Sequence, residues 1–253
     1  MSFNLKDILG DYNSIQSIRW IYGTTENLYM ILEAGAIFSN INKFKNIKPG
    51  DAIKHPKWNM GKKISVDSST LMNKVLEITE ALKLFPFNLK QYEIIIHPDS
   101  LIHAIIKLKN GTSLFLYHIP DMKIPIGNAL LKDFNYEQFF KPKNTTYNKI
   151  KSLDFLPLDK KKFPSVSLIS EMNSRKSSSI IINAANEIFV GEFLQNNIDF
   201  NDIVSYLKLV LRDKSYIKTS NLPCDSVKNI YIIHNWAKIT ALKIIKRNKK
   251  PNV

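Results

Sequence analysis

Between residues 55 and 85 the chain changes its hydrophobic period, and that change limits the folds open to it. Pro56 and Gly61 mark a loop, Ile64 and Val66 alternate as in a short strand, and Leu71, Val75, Ile78, Leu82 and Phe85 then recur at helical spacing. The pattern predicts loop, strand and helix in that order, with Asp67, Ser68 or Ser69 as the helix cap. The apolar stripe turns Asn73, Lys74 and Glu77 to the other face, Glu77 one turn beyond the first two. Free N–H groups at a helix start, the Ser68 hydroxyl, the Asn73 amide and the Lys74 ammonium suit a phosphate, and Glu77 suits a divalent metal. The other reading of these polar residues is a solvated helix face.

Downstream, residues 92–97 and 101–108 read as strands, and Asn110-Gly111 signals a two-residue hairpin into residues 112–118. Ile102, Ala104, Ile106 and Leu108 line one side of this sheet. On the last strand Phe115 and Tyr117 fall opposite Leu114 and Leu116, so both faces carry apolar side chains that a helix or a second subunit would cover. Residues 141–164, with Pro157 and Pro164, read as a connection. Beyond it the period is helical over 166–172, 180–194, 203–211 and 227–246, which predicts a small bundle. The expected class is α+β, a mainly β sheet with helices followed by a C-terminal α-helical bundle.

Composition narrows the function classes. Of 253 residues, 44% are hydrophobic and 23% charged, as in ordinary globular chains, and no run approaches the roughly 20 apolar residues of a membrane span. The first residues lack the order of a signal peptide. The single cysteine, Cys224, excludes an internal disulfide framework and a multi-cysteine zinc site. The net charge of +14 is scattered, densest at Lys160-Lys161-Lys162 and at 246–250, without a recognised nucleic-acid module. It supports solubility and a mild attraction for anionic substrates. His97 and His103 are read as structural hydrogen-bonding residues, since their spacing shows no convergent metal geometry.

The string His55-Pro56-Lys57-Trp58-Asn59-Met60-Gly61, then Lys63-Ile64, Asp67-Ser68 and Thr70, then Asn73-Lys74 and Leu76-Glu77, closely resembles the 1-deoxy-D-xylulose 5-phosphate reductoisomerase family. Four later blocks match in order: 97–103 (HPDSLIH), 120–126 (PDMKIPI), 153–155 (LDF) and 183–187 (NAANE). The resemblance implies an NADPH- and metal-dependent oxidoreductase of the methylerythritol phosphate route to isoprenoids. The metal, Mg2+ or Mn2+, holds the substrate while its skeleton rearranges, and NADPH then reduces the resulting aldehyde to 2-C-methyl-D-erythritol 4-phosphate.

The resemblance also assigns residues. His55, Ser68, Asn73, Lys74 and Glu77 bind the phosphorylated sugar, Trp58 and Met60 lie on a loop closing over it, Gly61 contacts NADPH, and Glu77 holds the metal. Asp11 is the nearest counterpart of a second metal carboxylate, though shorter than the family's glutamate. Leu9 and Ala34 stand where the family carries a carboxylate and a phosphate-binding serine. Without a G-x-G-x-x-G, the family's N-terminal nucleotide domain is not expected on this chain.

The implied organisation is a truncated catalytic and dimerisation domain over 1–140, a linker over 141–164, a helical bundle over 165–248 and a tail over 249–253. Asn183, Asn186 and Glu187 then belong to the helical region and pack rather than bind. The expected partners are the sugar phosphate, a second copy in a homodimer and a separate nucleotide-binding domain; no membrane is expected, and nucleic acid is a remote rival resting on charge alone. The expected location is a bacterial cytoplasm or a plastid. A degenerate homologue that binds sugar phosphate or dimerises without catalysis is the alternative.

Overall fold

The structure is a computed structural model, which describes residues 30–32, 46–53, 61–85, 88–97, 101–107, 112–119, 121–131, 135–139 and 153–248. His55, Trp58, Met60, Asp11, Leu9, Ala34 and the Asn110-Gly111 turn lie outside the described residues. Two compact units emerge, each assembled from separate stretches of sequence. One unites residues 1–36 with 85–158, and the other unites 37–84 with 159–253. The expected division at 141–164 therefore does not follow the packing, because the central helices group with the C-terminal ones.

The first unit holds the strands. β1 (Met30–Leu32) runs parallel to β2 (Ile94–Ile96), with Met30 opposite Ile94, and β2 pairs antiparallel with β5 (Leu156–Pro157). Pro157 cannot donate to a ladder, so it suits an outer strand of only two residues. β3 (Ile102–Lys107) and β4 (Ser113–Tyr117) form the predicted hairpin, with Ile105 opposite Phe115 and an irregularity between Ile102 and Ala104. Burial differs sharply between the two. Ile102 through Ile106 are all buried, whereas Leu114, Phe115 and Leu116 remain exposed, Phe115 by half. Two short helices follow, α4 (Lys123–Leu130) and α5 (Tyr136–Phe139).

The second unit is helical. It contains α1 (Pro49–Ala52), α2 (Lys62–Ser69), α3 (Met72–Leu84), α6 (Leu168–Met172), α7 (Ser178–Leu194), α8 (Phe200–Leu211), α9 (Tyr216–Ser220) and α10 (Val227–Asn248). The periodicity located α6, α7, α8 and α10 closely; α9, a single turn, it missed. Phe163, Phe189, Phe193, Leu71 and Met72 are the largest fully buried side chains. Phe189 meets Tyr206 edge-on at 5.7 Å, and Phe193 meets Phe200 at 5.6 Å, the offset geometry aromatic pairs prefer. Residues 159–164, read as connection, are built into this unit. Asp159 Oδ1 accepts the Lys161 and Lys162 amides, Phe163 is buried, and Ser165 is sealed in a 3-10 turn over Pro164–Ser167.

One local prediction fails. Ile64 and Val66 lie on helix α2 rather than on a strand. Two alternating apolar residues are too short a signal to decide a period, and the competing helical signals are stronger. Lys63 pairs with Asp67 at i,i+4 across 2.6 Å, a spacing that a helix brings onto one face.

Candidate functional site

α2 and α3 are joined by an elbow of two residues, Thr70 and Leu71. Leu71 has φ +60°, a left-handed conformation that stops α2 and lets the chain start α3 in a new direction. Burial explains why a leucine is kept there, since its side chain is wholly enclosed. The helix start is served by Thr70, whose Oγ1 accepts the Met72 amide at 3.3 Å, and not by the predicted caps Asp67, Ser68 or Ser69. Ser165 Oγ donates to the Thr70 carbonyl at 2.5 Å, pinning the elbow from the 3-10 turn.

On the far side of the elbow the predicted polar trio does converge. Lys74 Nζ stands 2.6 Å from Glu77 Oε2, and Asn73 Nδ2 donates to Glu77 Oε1 at 2.5 Å. The face is not a solvated one. Lys74 is only 6% exposed, and its partner's side chain 13%. Ser68, in the last turn of α2, is buried with no hydrogen bond from its hydroxyl among the described residues. Gly61 is the N-cap of α2, exposed, with open space where a side chain would project and no side-chain cap on the first turn.

Two residues that sequence reasoning did not place at the site support it. Asp67, beside Ser68, is 1% exposed; its carboxylate takes Lys63 Nζ on Oδ2 and Asn186 Nδ2 on Oδ1 at 2.7 Å. Burial raises its pKa above the ordinary carboxylate range, opposed by the Lys63 charge and by both hydrogen bonds. The i,i+4 spacing of Lys63 and Asp67 was visible in the sequence, but Asn186 lies far along the chain and carried no local signal. Of the remaining predicted block, Asn183 is exposed, and Glu187 pairs with Lys238 of α10 at 2.9 Å. That hydrogen bond, with Lys238, His234 and Lys63 adding positive charge, lowers the Glu187 pKa.

The histidines are structural, as read. His97 Nδ1 donates to the Asp154 carbonyl at 2.9 Å, and His103 Nε2 donates to the His118 carbonyl while the two rings stack 3.7 Å apart. Among the described residues no group of three or more His, Cys, Asp or Glu converges to hold a metal, and no helix is long and apolar enough to cross a membrane. Glu77 is the metal-competent side chain of the trio, and alone it does not make a metal site.

The geometry thus defines a class by architecture: an α+β chain with a C-terminal helical region that buries a lysine–glutamate pair at a helix elbow. Residues 16–85 match the model of the 1-deoxy-D-xylulose 5-phosphate reductoisomerase C-terminal domain, and residues 118–240 that of the DXP reductoisomerase C-terminal domain. The chain belongs to the 1-deoxy-D-xylulose 5-phosphate reductoisomerase family. The Pelagibacter ubique enzyme of that name is 40% identical over 222 residues, which is 87% of this chain and 56% of the relative. A solved DOX-P reductoisomerase in complex with NADPH, fosmidomycin and magnesium aligns at 30% identity and TM-score 0.80, over 90% of this chain and 57% of that one. The Zymomonas mobilis enzyme in complex with NADPH aligns at 27% identity and TM-score 0.77, covering 95% and 59%. The chain thus spans a little over half the length of these relatives.

Proposed function

We propose that this chain forms the substrate-binding part of a 1-deoxy-D-xylulose 5-phosphate reductoisomerase, taking the phosphorylated sugar at the α2–α3 elbow. The observation that carries this is the Lys74 ammonium, held out of solvent beside Asn73 and within a short stretch of chain from the unengaged Ser68 hydroxyl. Burial strengthens each charge-assisted hydrogen bond that such a cation makes to a phosphate oxygen. Ser68, Asn73 and Lys74 bind phosphate and hydroxyls, His55 the sugar, and Trp58 and Met60 close the site against water. NADPH lies against Gly61, where the open N-terminus of α2 accepts negative charge. Glu77 contributes to holding Mg2+ or Mn2+, with Asp11 as its sequence-level companion; when bound, that cation supplies Lewis-acid polarisation of the substrate oxygens. The exposed Leu114, Phe115 and Leu116 of β4 support homodimerisation over this sheet.

A second reading, sugar-phosphate binding without turnover, is favoured by Leu9 and Ala34 at positions where the family carries a metal carboxylate and a phosphate-binding serine. Calorimetric titration with 1-deoxy-D-xylulose 5-phosphate at fixed salt tests the site, and NADPH oxidation with manganese present separates the two readings. Removing a hydrogen bond to a charged group is worth about 1.5–3 kcal/mol, so Lys74→Ala should weaken binding by about ten-fold or more. Lys218→Ala, at an exposed position of α9, should leave it unchanged. Equal losses in both variants would reduce the interaction to diffuse basic attraction, and full affinity in Lys74→Ala would remove the elbow from the site.

A further inference from the structure

The polar contacts that fix the elbow come from outside it. Asp67 and Asn186 are both buried, and their hydrogen bond ties the last turns of α2 to α7 across 119 positions of sequence. Packing alone does not account for this choice of residues. The Asn186 Oδ1 atom is buried without a hydrogen-bond partner among the described residues, and the Asp67 carboxylate lies at the protein interior. Replacing a buried polar cluster of this kind by apolar side chains of the same shape is often neutral or stabilising. What the polar pair supplies is a fixed geometry. Asp67 precedes Ser68 directly, the pinned Thr70 carbonyl and the left-handed Leu71 follow, and Asn73 and Lys74 begin the next turn. The clamp therefore holds the start, at Asp67, and Ser165 the middle, at Thr70, of the stretch that leads from the Ser68 hydroxyl to the Lys74 ammonium.

We infer that Asp67 and Asn186 are positioning residues for the phosphate site, so that α7 of the C-terminal helical region sets the geometry of an elbow it does not belong to. This rests on the reading of the elbow as the sugar-phosphate site. The clamp acts through Ser68 and Lys74 and does not itself touch the ligand. Lys63 belongs to the same arrangement, one turn before Asp67 and close enough to Glu187 to lower its pKa.

The test uses the full chain, 1-deoxy-D-xylulose 5-phosphate as the probe, and Ile203→Val in α8 as a control that loses core volume without removing any polar contact of the elbow. Asn186→Ala should weaken binding about ten-fold, the scale of one lost hydrogen bond to a charged group. Asn186→Asp, which sets two carboxylates face to face, should weaken it further. The exchange Asp67→Asn with Asn186→Asp should return affinity to within about three-fold of the natural chain, since it restores one carboxylate facing one amide. Ile203→Val should lower the melting temperature and leave affinity alone. In the ligand-free protein, amide hydrogen exchange over residues 62–77 should speed up in Asn186→Ala and not in Ile203→Val. The inference is overturned if Asn186→Ala loses no more affinity than the control, or if the exchanged pair is no better than Asn186→Asp. Should the natural chain not bind the probe, the reading of the elbow fails, and the clamp is then judged by hydrogen exchange; unchanged exchange over 62–77 refutes it independently.

Discussion

Replacing Lys74 by methionine keeps most of the volume of a buried side chain and deletes its charge. Glu77 is then left with one oxygen facing the space vacated by the ammonium that stood 2.6 Å away, while Asn73 still donates to the other oxygen. Breaking a buried ion pair by removing one partner costs about 3–5 kcal/mol. A ceiling applies, because a carboxylate that loses its ammonium can escape by taking up a proton, which at pH 7 costs an ordinary glutamate about 3.7 kcal/mol. With the Asn73 bond retained, a loss of about 2–4 kcal/mol is expected in Lys74→Met. The double variant Lys74→Met with Glu77→Gln removes the carboxylate charge as well and should recover at least half of that loss. Urea denaturation followed by far-ultraviolet circular dichroism measures both, provided the slope with denaturant is the same in each variant. A loss below about 1 kcal/mol in the single variant would place the pair in the range of exposed ion pairs, and the reasoning from burial would be refuted.

Two further outcomes follow from the same elbow. The folded-state pKa of Asp67 is raised by burial above its unfolded value, so its contribution to stability is fully present below the unfolded pKa of about 3.8 and is lost as pH rises through the folded value; Asp67→Asn should therefore gain stability relative to the natural chain as pH climbs from about 4 toward neutrality, and a difference in melting temperature that does not change with pH would contradict this. Leu71→Ala empties a wholly buried position at a left-handed residue, and thermal denaturation should show a loss of about 2–5 kcal/mol, with a value under about 1 kcal/mol meaning that the elbow is not held by that side chain.

How legible all this was depends on the range over which each contact acts. The helical stripe from Leu71 to Leu82, the β3–β4 hairpin and the long helices α7, α8 and α10 were visible because a period of 3.6 or 2 repeats several times within them. The Asn73–Lys74–Glu77 trio was visible for the same reason, since i,i+3 and i,i+4 neighbours share a helix face whatever the tertiary structure does. Its burial was not visible. Lys74 and Glu77 look solvated in a stripe analysis, because burial is set by chain that returns from far along the sequence, as α6 and the Pro164–Ser167 turn do against Thr79 and the elbow. The same return misled the domain boundary. A change of period across Pro157 and Pro164 marks a change of local structure, yet the unit that forms is assembled from 37–84 and 159–253. Ile64 and Val66 show the opposite failure, where a short alternation was outweighed by the i,i+4 Lys63–Asp67 pair.

In the ligand-free protein Lys74 has a carboxylate as its partner, and this bears on what a phosphate must do to bind. A dianionic group reaching Lys74 competes with Glu77 for the same ammonium, so part of the new attraction replaces an old one instead of adding to it. The exchange leaves Glu77 its Asn73 hydrogen bond and ends its pairing with the Lys74 ammonium. On the proposed reading, phosphate capture by Lys74 and cation capture by Glu77 therefore favour one another, and linkage requires each to raise the affinity of the other by the same factor. A rigid elbow is the condition for this exchange. If α2 and α3 could shift freely, Lys74 could accommodate both anions at once and no carboxylate would be released, so the clamp from α7 and the left-handed turn at Leu71 belong to the same chemistry as the ion pair that they hold in place.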